Sequence, residues 1–73
     1  MAEDVLEKLR AGLPPIFARK EVGRLTGGLV AAGTMANLDS QGLGPSRRIR
    51  TGRHVIYERD SFIAWLRSRI RQL

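Results

Sequence analysis

From Arg47 to His54 the chain reads RRIRTGRH, four arginines and the chain's one histidine set around a Thr-Gly pair. Guanidinium groups gathered this closely are suited to phosphate, because each offers a planar fork of donors and a permanent charge. On a hairpin they could grip phosphates on both sides of a groove, or enter a narrow minor groove where negative potential is concentrated. A second basic group, Arg19, Lys20 and Arg24, lies earlier in the chain, where a solvated helix face is the plain alternative for each. A third set, Thr34, Asn37, Ser40 and Gln41, recurs at helical spacing beside Gly33 and Ala36. A helix built only for solubility would more often carry Glu and Lys there. Asn37 and Gln41 have the amide geometry to pair bidentately with adenine, a contact that discriminates by about 1–3 kcal/mol.

Other chemistries find little support. Ser40, Ser46, Ser61 and Ser68 have no credible base beside them, and LTGGL is too short to cradle a phosphate. With no cysteine and a single histidine, neither a thiolate nor an imidazole cluster can be assembled. No enzyme, no metal and no cofactor is expected.

The charge balance points the same way. The formal net charge is +6 and the pI near 11.4. Glu3, Asp4 and Glu7 open the chain, and from Lys8 onward 13 basic residues face only Glu21, Asp39, Glu58 and Asp60. Such a balance favours polyanions, nucleic acid before an anionic membrane, with solubility alone as the plainer alternative. No apolar run approaches the roughly 20 residues of a membrane span, and the acidic N-terminus lacks a secretory stretch. A cytoplasmic protein without membrane contact is expected.

Positioning these groups requires a scaffold, and 73 residues allow one thin-cored domain. Val5, Leu6 and Leu9 predict a first helix over residues 3–11, an accessory segment (1–12) ahead of the main domain (13–73). Pro14 and Pro15 stop it. Phe17, Val22 and Leu25 predict a helix from Arg19 to Leu25, with Glu21 reaching back toward its start, ended by Gly27 and Gly28. Met35 and Leu38 form the buried edge of a third helix from about Ala32 to Gln41. Its start could fall anywhere from Ala32 to Thr34, because Ala31, Ala32 and Gly33 offer no cap. Arg47–Arg50 and His54–Tyr57 predict two strands around a glycine turn, with Ile49, Val55 and Tyr57 facing the core and Arg48, Arg50 and His54 facing out. Ile56 falls on the outward side. A terminal helix follows from Arg59, with Tyr57, Phe62 and Trp65 in the core and Arg67, Arg69 and Arg71 in its last turns. Ile63, Ile70 and Leu73 widen its apolar face, a surplus that could seat the first helix or a second subunit.

The expected class is α+β, mainly α: a small winged helix-turn-helix with a two-stranded wing and a closing C-terminal helix. The segments RKEVGRLTGG, TMANLDSQGLGP and RIRTGRHVIYERDSFIAWL resemble the excisionase/AlpA-like family of phages and mobile elements, relatives of the MerR-type DNA-binding domain. That resemblance covers about residues 16–68 and is most specific in the GR-x-V-x-Y hairpin and the AWL helix. It implies sequence-specific binding of double-stranded DNA, in excisive recombination or in transcription regulation. Thr34, Asn37, Ser40 and Gln41 would then read the major groove. Arg47, Arg48, Arg50, Arg53 and His54 would form the wing, and Arg19, Lys20 and Arg24 would meet the backbone. An integrase or recombinase is an implied partner, and self-association through the C-terminal helix a further one. The alternative is a small interaction module docking an acidic protein such as a recombinase.

Overall fold

Helix α1 (Ala2–Gly12) carries Glu3 and Asp4 in its first turn and Arg10 near its end, the charge order that the helix dipole favours. The structure, a computed structural model, describes residues 2–70. Beyond Pro14 and Pro15 the chain stays extended as β1 (Ile16–Ala18). Arg19–Glu21 then forms a single 3-10 turn and α2 (Val22–Leu25) a single α turn, in place of one continuous helix from Arg19. The opening lacks a cap, since Ala18 has no side-chain acceptor, and the tighter winding closes the Val22 N–H onto the Arg19 carbonyl. Glu21 does not reach back to that start; its carboxylate binds forward to Arg24 at 2.7 Å.

The connection to α3 (Ala32–Ser40) is held by Thr26, which is buried. Its hydroxyl donates to the Val22 carbonyl at 2.7 Å and accepts from the Val30 N–H at 3.2 Å. Gly27 and Gly28 take φ of 64° and 88°, a region in which side chains are strained. Helix α3 starts at Ala32 rather than at Thr34 although Ala31 provides no side-chain cap. Met35, fully buried, and Leu38, packed against the core, hold it in place of local propensity. It ends one residue short of Gln41.

Strands β2 (Arg48–Thr51) and β3 (His54–Glu58) flank a two-residue turn, Gly52–Arg53, with φ of 58° at the glycine. Strand β1 pairs with the other side of β3, so the sheet is antiparallel with three strands in the order β1-β3-β2. β1 is thus an addition to the expected two-stranded wing. Its three residues are too few for alternation to show in sequence.

The register corrects one expectation. Arg48 lies opposite Tyr57, Ile49 opposite Ile56 and Arg50 opposite Val55. Residues directly opposite share a face of the sheet. Because Tyr57 and Val55 are buried, Arg48 and Arg50 stand on the inner face toward α3, and Ile49 points out, 65 % exposed. A two-residue turn always sets odd-numbered residues of β2 against even-numbered ones of β3, so Ile49 cannot share a face with Val55 and Tyr57.

Helix α4 (Arg59–Arg67) is capped by Glu58, whose carboxylate accepts from the N–H groups of Asp60 and Ser61 at 2.8 and 3.0 Å. It is shorter than expected; Arg69 beyond it lies over the Trp65 ring at 5.4 Å, while Arg71 and Leu73 fall outside the described residues. Phe17, Tyr57 and Phe62 form the centre of the core, with Phe17 edge-on to Phe62 at 5.3 Å and Trp65 half-buried beside them. Burying each such side chain contributes on the order of 1.5–3 kcal/mol.

Helix α1 lies against α4. Leu6 and Leu13 are buried with Ile63 and Leu66, whereas Val5, expected on the same side, is 62 % exposed. Two ion pairs fasten the ends: Arg67 donates to both oxygens of Glu3 at 2.9–3.2 Å, and Arg10 Nε to Asp60 at 2.8 Å. No helix among the described residues is long and apolar enough to cross a membrane.

The bond to Arg67 lowers the carboxyl of Glu3 from its ordinary value of 4.5, and the bond to Arg10 lowers that of Asp60 from 3.8. A carboxyl depressed by folding stabilises the folded state above its unfolded value and loses that contribution as pH falls through its folded value. Both groups are solvated, so the effect is local and screened by salt. Amide exchange across Leu6–Arg10 should therefore accelerate below about pH 4 before the α3 amides respond; simultaneous loss would rule out separate docking of α1.

Candidate nucleic-acid interface

Helix α3 turns one side to the core through Met35 and leaves Thr34, Asn37, Ser40 and Gln41 exposed on the other. The Ser40 hydroxyl donates back to the Asn37 carbonyl at 2.7 Å, so its proton is occupied while its lone pairs remain open. Asn37 and Gln41 make no side-chain hydrogen bond among the described residues and keep full amide donor and acceptor capacity.

Between the exposed side and the core lies Asp39, four residues from Met35 and so on the inner flank of the helix. Its side chain is 8 % exposed. Oδ2 accepts from Arg19 Nη1 at 3.0 Å and from the Tyr57 hydroxyl at 2.5 Å. Arg48 Nε stands 3.7 Å from Oδ1, and Arg48 Nη1 donates to the Pro45 carbonyl at 2.7 Å. Burial first, then the bond to Asp39, raises the Tyr57 phenol above its ordinary value of 10.0, so it remains a neutral donor. One carboxylate thus joins the 3-10 turn, α3, β2 and β3. The sequence signal for it was its position: an acid on the inner side of a helix in a basic chain.

Two openings run between α3 and the hairpin. One, about 340 Å³, lies between Arg19, Arg48 and Arg50, with Ala36 and Ser40 on the helix wall. The other, about 270 Å³, is lined by Lys20, Arg53 and His54 opposite Ala32 and Gly33. The tertiary structure therefore gathers residues from three separate stretches of sequence along one cleft.

The remaining sites fall elsewhere. Arg47 lines the other face of the sheet with Ile16, Ile49 and Ile56. Arg24 is exposed but paired with Glu21 at 2.7 Å, which reduces its charge for an outside partner. Arg19 and Arg48 are half-buried beside Asp39, with Nη1 of Arg19 engaged by that carboxylate and Nη1 of Arg48 by the Pro45 carbonyl. Lys20, Arg47, Arg50 and Arg53 are exposed and make no ion pair among the described residues. His54 is exposed at the end of the turn; no group of three metal-binding side chains is present among the described residues.

No family model, curated protein or solved structure matches the chain.

The Asp39 contact depends on Gly44. A Cβ built there would lie 1.9 Å from Asp39 Oδ1 and 3.1 Å from its Cγ. The carboxylate would have to rotate away from Arg19 and Tyr57. Gly44→Ala is accordingly expected to destabilise the fold by about 1–3 kcal/mol in denaturant unfolding. An unchanged midpoint would show that the three-way contact contributes nothing.

Proposed function

We propose that this protein binds double-stranded DNA sequence-specifically, as a relative of the excisionase/AlpA-like proteins of phages and mobile elements, in excisive recombination or in transcription regulation. One observation carries the reading: Lys20, Arg50 and Arg53, free of internal carboxylates among the described residues, border openings whose helix wall is Ala32, Gly33, Ala36 and Ser40 of α3, while Thr34, Asn37 and Gln41 lie exposed on the same helix outside those openings. In this reading α3 enters the major groove, where Asn37 and Gln41 meet base edges. Lys20 and the Gly52–Arg53 turn lie along the phosphates on either side. Backbone contacts orient the protein, and the amides supply discrimination.

A second reading, a module that docks an acidic protein such as a recombinase, draws support from the opposite face of the sheet. Ile16 and Ile49 are exposed there, with unpaired Arg47 beside them. The two readings use different faces and are compatible.

Duplex affinity measured against salt tests the first. Log affinity should fall linearly with log salt at roughly 0.9 per phosphate neutralised, giving a slope of about −3 or steeper. Arg53→Ala should weaken specific and random duplexes alike and flatten the slope by about 1. Asn37→Ala should instead narrow the gap between them by about 1–3 kcal/mol. Arg53→Ala binding with unaltered affinity and slope would falsify the role of the turn.

A further inference from the structure

The larger opening has three arginines and the Asp39 carboxylate in its lining. Arg19 engages Asp39 through Nη1, and Arg48 engages the Pro45 carbonyl through its own Nη1. A guanidinium has five N–H donors, so both retain several. Arg50, on the same inner face as Arg48, has no partner among the described residues. Ala36 contributes only a methyl group to the opposite wall, which leaves about 340 Å³ open in front of the three cations.

We propose that this cleft seats one phosphate group, with Arg19, Arg48 and Arg50 as its ligands and Asp39 as the positioning residue for the first two. Asp39 lowers the charge on the walls from three to two but fixes where it sits. It holds Arg19 by a hydrogen bond and Arg48 by charge at 3.7 Å, while Gly44 leaves the carboxylate the space a Cβ would occupy. Donors arriving from two elements, the 3-10 turn and β2, suit the tetrahedral oxygens of phosphate. A carboxylate, with two coplanar oxygens, is matched by the fork of one arginine. The inference rests on the DNA reading only in taking the phosphate to be a backbone phosphodiester.

An NMR titration of the full chain with inorganic phosphate, against acetate at equal ionic strength, tests it. Phosphate should produce saturable one-site shifts at the Nε–H groups of Arg19, Arg48 and Arg50 and at the Ser40 amide, leaving Lys8 and Arg69 unmoved. Arg50→Ala, an exposed change that spares the core, should weaken phosphate by about tenfold, the loss of one charge-assisted contact. Asp39→Asn should also weaken it, and most of that loss should vanish when Arg19 is already alanine, whereas a purely structural Asp39 would cost the same in both backgrounds. Shifts spread without saturation over every cation, or equal saturation by acetate, overturn the seat, the latter in favour of an acidic peptide. Duplex binding unaffected by Arg50→Ala, with no phosphate saturation, overturns the seat and leaves the DNA reading standing. Saturation by phosphate without duplex binding at any salt overturns the DNA reading and leaves the seat.

Discussion

Asp39 receives Arg19 from the 3-10 turn and the Tyr57 hydroxyl from the central strand, with Arg48 of the edge strand close by. The 3-10 turn before α3 and both strands of the hairpin after it are thereby tied to the flank of α3. Removing one partner from such a buried carboxylate leaves charge without compensation, commonly a larger loss than the pair itself is worth. The contact braces α3 against the hairpin alongside the apolar packing of Met35 with Val55 and Tyr57 in one core. It also accounts for Gly44, where a methyl group would occupy the space the carboxylate needs.

The same contact changes how the charge of the protein should be understood. A net charge of +6 suggests a surface uniformly available to anions, yet the arginines divide into distinct groups. Arg10 and Arg67 fasten α1, Arg24 is paired with Glu21, and Arg19 and Arg48 brace the cleft. The exposed cations near α3 without an internal carboxylate among the described residues are Arg50 on the larger opening and Lys20 and Arg53 on the smaller one. Internal pairing therefore makes the basic character uneven: part of the free charge borders α3, while Lys8, Arg47 and Arg69 lie elsewhere.

The attachment of α1 follows from size. A core drawn only from β1 to α4 would leave Ile63 and part of Leu66 facing water, and a domain this small has little stability in reserve. Leu6 and Leu13 cover that face, and the acidic first turn of α1 finds Arg67 at the end of α4. The acidic N-terminus thus meets a basic helix end, Arg67 of α4.

Helix positions, the glycine turn and the aromatic core were legible in sequence because each depends on residues close together. Phe62 with Leu66, Met35 with Leu38, and Gly52 between two branched strands announce themselves within a few positions. Nothing local could show which face of β2 is buried, since that depends on whether the turn holds two residues or three, a difference that exchanges Arg48 and Arg50 with Ile49. Nor could local pattern reveal β1, whose three residues become a strand only when β3 supplies hydrogen bonds. Asp39 could be seen as a lone acid but not as a junction, because Arg19, Arg48 and Tyr57 meet it only after the sheet has folded against α3. By itself the sequence determined which residue types were available and where α1, α3 and α4 would form. Tertiary structure decided which cations are neutralised and which remain free, because charge pairing acts through distance in space and is indifferent to distance along the chain.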